Sequence, residues 1–164
     1  MAKAVEGSKI IYLLRVKDDQ ATTAGTVLAY TTQNSRSISS GVSTTQTKDG
    51  SVTTPGTVEE TLSVTSYLSQ ADPMVEKLET ALKEGKTMEI WEADLSQPTT
   101  GNKYKGKYWE GRISSWGLNT NADGLAELST EYTLEGGGRS GNVTVTEDQQ
   151  EEAYAFLDTV ATGA

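Results

Sequence analysis

The chain has neither cysteine nor histidine. The first absence excludes disulfides and thiolate metal sites. The second removes the commonest general base and the commonest transition-metal ligand. No apolar run approaches the roughly 20 residues of a membrane-spanning helix. The N-terminal MAKAVEGSK lacks the apolar core of a signal peptide, so the cytoplasm of the producing cell is the expected setting. Cations are few: 14 Lys and Arg stand against 23 Asp and Glu, a net charge of −9. That balance argues against a surface built to grip nucleic acid. No repeat with a period of roughly 20–50 residues is visible.

What is present is 164 residues with 35% hydrophobic content, enough for a single domain over 1–164 with a real core. Large apolar side chains are scarce in one stretch, Asn34 to Thr57. Its Ser, Thr and Gly residues still suit an extended backbone, since Ile38, Val42, Thr44, Thr45 and Thr47 are β-branched. Lys48-Asp49-Gly50 signals a turn, because Asp can bond its own backbone and Gly supplies positive φ. Pro55-Gly56 signals another. The stretch reads as a polar β-arm that goes out, turns and returns. It cannot bury enough apolar surface to order itself on its own body, so it is either a loose loop or is ordered against another molecule.

Around the arm, alternation marks strands. Lys9 to Lys17 places Ile10, Tyr12, Leu14 and Val16 on one face and Ile11 and Leu13 on the other, predicting cover on both sides. Gly25 to Gln33 reads as a second strand. From Val58 to Leu68, Leu62, Val64 and Leu68 share a face with Val58, while Glu59, Thr61, Ser63 and Thr65 lie opposite. Asp72 to Gly85 is a helix: Asp72 caps it, Pro73 suits its first position and Gly85 stops it. Its narrow stripe of Val75, Leu78, Ala81 and Leu82 predicts one face laid on a sheet. Thr87 to Leu95 is strand-like, and 97–101 is a loop. Lys103 to Leu118 is a long or bent strand in which Gly106 and Gly111 mark bulges or close approaches. Leu125 to Glu135 alternates cleanly, with Ala126, Leu128, Tyr132 and Leu134 opposite Glu127, Ser129, Glu131, Thr133 and Glu135. Gly136-Gly137-Gly138 is expected to end that strand before a short one over Asn142 to Thr146. Thr146 and Gln149 have capping-box spacing, so a short helix is expected to about Ala153. Beyond it, helix and strand readings both stand. The sum is a mainly β domain of sandwich or barrel type with one flanking helix over about 72–84.

The carboxylates sit in alternating strands and helix starts, the ordinary places for solvated surface, and a catalytic site is not expected. Gly136-Gly137-Gly138-Arg139 lacks the spacing of a phosphate loop. No cofactor or metal site is expected. Trp91, Trp109, Trp116, Tyr104 and Tyr108 could line a sugar-binding face, which would make the chain a carbohydrate- or receptor-binding module, but such residues more often fill cores and interfaces. A generic structural β-domain is a third reading. The two polar strand faces favour assembly. If subunits join edge to edge in a ring, free strand edges find partners and the polar faces line a hole.

The blocks QNSRSIS…TKDGSVTTPGTVEETLSVTSYLS, DPMVEKLETALKEGKTMEIWE and KYKGKYWEGRISSW, in this order, resemble the major tail protein of long, non-contractile-tailed bacteriophages, in the version found in phages of lactic-acid bacteria. The resemblance spans about Lys9 to Phe156. It implies a virion protein in which six subunits form a ring and rings stack into a tube around a tape-measure protein. A tail terminator and distal tail proteins meet the ends of the tube, and DNA later passes through it without specific binding. It implies a ring-stacking role for the arm over about 34–57, which includes Arg36, Lys48, Asp49, Gly50, Thr53, Pro55 and Gly56. Some proteins of this type carry a further immunoglobulin-like domain, and this chain is expected to be too short for one.

Overall fold

The computed structural model describes residues 3–21, 25, 26, 28, 31–69, 72–101 and 103–145. In chain order the elements are β1 (Ile10–Val16), β2 (Thr31–Ser40), β3 (Ser43–Thr47), β4 (Gly50–Thr54), β5 (Val58–Tyr67), α1 (Met74–Glu84), β6 (Thr87–Pro98), β7 (Lys103–Asn119) and β8 (Glu127–Thr144). Six strands pair in the order β1-β6-β7-β8-β5-β2, and β3 with β4 forms a separate hairpin. Every pairing is antiparallel.

The helix forms where the apolar spacing asks for it. The Asp72 carboxylate accepts a hydrogen bond from the Met74 N–H at 3.0 Å, answering one of the donors a helix start leaves unpaired. Gly85 ends the helix at φ 65°, a conformation costly for a residue with a Cβ. Leu78 and Ala81 are fully buried against the sheet. The main core lies between α1 and the sheet face that carries Leu14, Leu62, Ile90, Trp109, Leu128 and Tyr132. A smaller core on the other face joins Ile11, Leu13, Ala93, Val143 and Val145. β1 therefore contributes to both cores, which explains its unbroken apolar run.

The sheet is rolled rather than flat. Arg36 on the edge strand β2 reaches Glu92 on β6 at 2.8 Å, and Tyr12 on the opposite edge strand donates to the same carboxylate oxygen at 2.6 Å. Two glycines allow the strands to press together. A Cβ at Gly106 would lie 2.0 Å from the Glu92 carbonyl oxygen, and one at Gly111 2.2 Å from that of Thr133.

Four expectations need correction. The three glycines do not end the strand before 142: β8 runs unbroken through them, and the ladder to β7 shifts between Glu110↔Glu135 and Tyr108↔Arg139. Gly136, Gly137 and Gly138 all have positive φ, so they absorb the extra residues as a bulge. The second strand runs past Gln33: β2 covers Thr31–Ser40, Thr26 bridges Leu14, and residues 27, 29 and 30 of the expected strand lie outside the described residues. The stretch 34–40 belongs to the sheet and not to a free arm, because it pairs with β5 from Asn34↔Val64 to Ser40↔Val58. β6 continues through Pro98, which pairs with Tyr104 after an irregularity. The expected C-terminal helix and the open reading beyond it lie outside the described residues.

Candidate assembly surfaces: a polar sheet face and a projecting arm

Along β5 the even-numbered side chains from Glu60 to Ser66 point into the core and are buried. Glu59, Thr61, Ser63 and Thr65 must then point away. β8 behaves alike, with Leu128, Thr130, Tyr132 and Leu134 buried and Glu127, Ser129, Glu131, Thr133 and Glu135 on the outer side. The register sets these two outer rows side by side: Thr61↔Thr133, Ser63↔Glu131 and Thr65↔Ser129. On β2 the row continues, and the hydroxyls of Ser37 and Thr61 lie 3.0 Å apart. On β7 it extends through Arg112↔Thr133 and Ser115↔Glu131. All nine sequence-assigned face residues, on β5 and β8, thus share one surface of short polar and acidic groups, flanked by β2 and by a β7 row that includes Arg112. Among the described residues, none of Glu59, Glu127, Glu131 and Glu135 is in an ion pair.

Towards β1 the same side becomes charged and packed. Arg15 pairs with Glu89, which is 1% exposed, and its guanidinium lies 4.8 Å from the Trp91 ring centre. Glu110, opposite Glu135, bonds Lys17 at 3.0 Å, and that bond holds its carboxyl below the usual range. Burial, aided by Glu89 and Glu110, pushes the Tyr108 phenol up to about 12. The sequence reading missed this cluster, since its members are dispersed along the chain.

The arm begins beyond Ser40. β3 and β4 pair from Ser43↔Thr54 to Thr47↔Gly50, so Lys48 and Asp49 form the tip, and Gly50 follows at φ 129°. Every residue of the hairpin, Thr53 included, is exposed, as is Pro55. Gly41 donates to the Thr57 carbonyl at 3.2 Å, and a Cβ on Gly56 would sit 1.5 Å from the Gly41 carbonyl oxygen. The arm therefore leaves the sheet through a glycine-lined neck.

Arg36, grouped by sequence with the arm, turns the other way. It pairs with Glu92 and, at 3.3 Å, with the buried Glu60, and it lies 4.9 Å from the Trp109 ring centre. Burial opposes its charge, but the Glu92 bond outweighs this and holds the guanidinium's pKa above its ordinary value. Its partners lie 24 and 56 residues away, so no local pattern announces the contact. The aromatic residues do not form an open stacking platform. Trp109 is 1% exposed within the main core, while Trp91 and Tyr104 pack against the smaller one. No cluster of three potential metal ligands occurs among the described residues.

A rolled antiparallel sheet with one covering helix is a fold shared with solved phage and phage-like tails. The solved tail tube of phage SPP1 superposes with a TM-score of 0.74 at 21% identity, covering 98% of this chain and 88% of that one. The tail of a gene transfer agent particle, refined with C6 symmetry, gives 0.62 at 13% identity, covering 87% and 100%. A model of the family described as phage tail tube protein matches residues 4–138. A tail protein of Staphylococcus phage phiMR25 is 30% identical over 146 residues, covering 85% of this chain and 76% of that protein. The tail tube protein gp17.1* of Bacillus phage SPP1 is 26% identical over 139 residues; the match covers 85% of this chain and 52% of that relative, about half its length. The chain belongs to the phage tail tube protein family, and its role is structural, in the tail tube of the virion.

Proposed function

We propose that six copies of this protein form a ring, that rings stack into the tail tube, and that the bare polar face lines the lumen. The observation that carries this reading is the contiguous hydrophilic outer surface of β5 and β8, flanked by β2 and β7, whose four carboxylates are in no ion pair among the described residues. DNA carries dense negative charge. Carboxylates at Glu59, Glu127, Glu131 and Glu135 repel it at short range, within about 8 Å at physiological salt. A repelling wall lets the genome slide where a basic wall would hold it by counterion release. The hairpin around Lys48, Asp49, Gly50 and Thr53, with Pro55 and Gly56 at its return, reaches the adjacent ring. Arg36 fixes the root of the arm from inside the subunit. The same lumen holds the tape-measure protein during assembly, the tail terminator and distal tail proteins close the two ends, and no catalysis is involved.

Negative-stain microscopy of concentrated purified protein tests the reading. Six-fold rings or hollow tubes are expected. Particles that stay monomeric at every concentration would overturn self-assembly by this chain. Binding of monomers to a glycan array would favour a receptor-binding module instead.

A further inference from the structure

The apolar period of β5 outruns the core at both ends. Its inward positions Glu60 to Ser66 are buried, yet Val58 before them and Leu68 after them, both in phase, are 61% and 36% exposed. The neighbouring segments repeat the pattern. At the arm end Ile38, paired with Glu60, is exposed, and the arm adds exposed Val42 and Val52. At the far end Leu118, paired with the buried Leu128, is exposed, and so is Leu125 beside Ala126, whose carbonyl accepts the Leu68 N–H. Two apolar lips therefore stand at opposite ends of the same strand, separated by roughly 33 Å of extended chain.

We propose that the lip of Leu68, Leu118 and Leu125 is the seat on which a second copy of this chain, in the next ring, lays its arm, with Val42 and Val52 as the apolar contacts. This rests on the tube reading and names both halves of the stacking contact. Single exposed apolar residues need no explanation, but paired sets at opposite poles do. Two unlike patches on one molecule make a heterologous contact, and such a contact propagates into a filament instead of closing a dimer. Charge selects the occupant. From Ile38 to Val58 the only charged residues are Lys48 and Asp49, in a chain of net charge −9. The arm is the neutral part that can approach another acidic copy without like-charge repulsion, and it offers Lys48 to Asp123 and Glu127 flanking the seat.

The chain has no cysteine, so paired substitutions report the contact directly. Tubes of Val52→Cys/Leu125→Cys and Val42→Cys/Leu118→Cys are oxidised and run on non-reducing gels. A multimer ladder that collapses on reduction is expected, with none from the Val52→Cys/Lys77→Cys control on α1. Tubes that form normally yet crosslink at neither arm–lip pair would overturn the seat and leave the tube reading standing. Wild-type protein that forms no tubes would overturn the tube reading and this inference with it. Leu125→Asp is a second arm of the test. It lies on the surface and should unfold like wild type, but form tubes roughly tenfold shorter, because a carboxylate pressed unpaired into an apolar seat costs well over one decade of association. Tubes of normal length from Leu125→Asp would also overturn the seat.

Discussion

At the scale of single residues, Arg36 and the tyrosines carry the strongest consequences. Arg36 neutralises Glu60 and Glu92 where the two edges of the rolled sheet meet. Arg36→Met leaves two partly or fully buried carboxylates without their cation, and a loss on the order of 3 kcal/mol is expected in urea unfolding. Restoring charge without the planar fork, by Arg36→Lys, should recover only part of it. Tyr12, Tyr108 and Tyr132 have phenols raised mainly by burial. A raised phenol holds its proton more firmly in the folded state. Its contribution is therefore whole below the unfolded value of about 10 and drains as pH climbs towards the folded values. With no histidine in the chain, the thermal midpoint should stay level from about pH 6 to 8 and fall only above about pH 10. Absorbance at alkaline pH should show Tyr12 and Tyr132 ionising with unfolding and not before it.

At the scale of elements, the hairpin makes no contribution to either core, because β3 and β4 are exposed throughout. Removing residues 43–54 and joining the neck should leave the thermal midpoint within a few degrees of wild type, since surface changes cost about 0.5 kcal/mol or less. The same deletion should abolish long tubes in micrographs. The two readouts separate an assembly element from a folding element. Elements with a strong period were legible in the sequence: β1, β5, the first half of β8, and α1 with both its caps. In the outer rows of β5 and β8, even the phase was readable, because a one-residue slip would have buried Glu131 and exposed Tyr132. What was not legible depended on partners distant in sequence. Three glycines in a row resemble a strand end, and only the resumed pairing of Arg139 with Tyr108 shows that they are a bulge. An arginine in a Ser-rich stretch looks solvent-bound until the rolled sheet delivers Glu92 to it.

At the scale of the whole molecule, the faces differ in how their charges are paired. On α1 Lys83 pairs with Glu79 and Lys77 with Asp19, while the bare sheet face keeps four carboxylates without ion pairs among the described residues. Replacing Glu131 and Glu135 together by Lys, with Glu127 beside the seat left as it is, should leave tube shape intact and turn a repelling channel into a binding one. Short duplex DNA should then co-sediment with the tubes, and the binding should fall steeply with salt, whereas wild-type tubes retain none. The glycine-lined neck bears on mechanics. A long hollow filament bends only if successive discs tilt, which stretches one flank and compresses the other. If the hairpin is seated on the neighbouring disc as proposed, a narrow neck with glycines at 41 and 56, set between it and a stiff sheet, would let each bridge swivel while both of its ends stay gripped. Such a tail would curve by many small rotations spread along its length, with its bore open throughout.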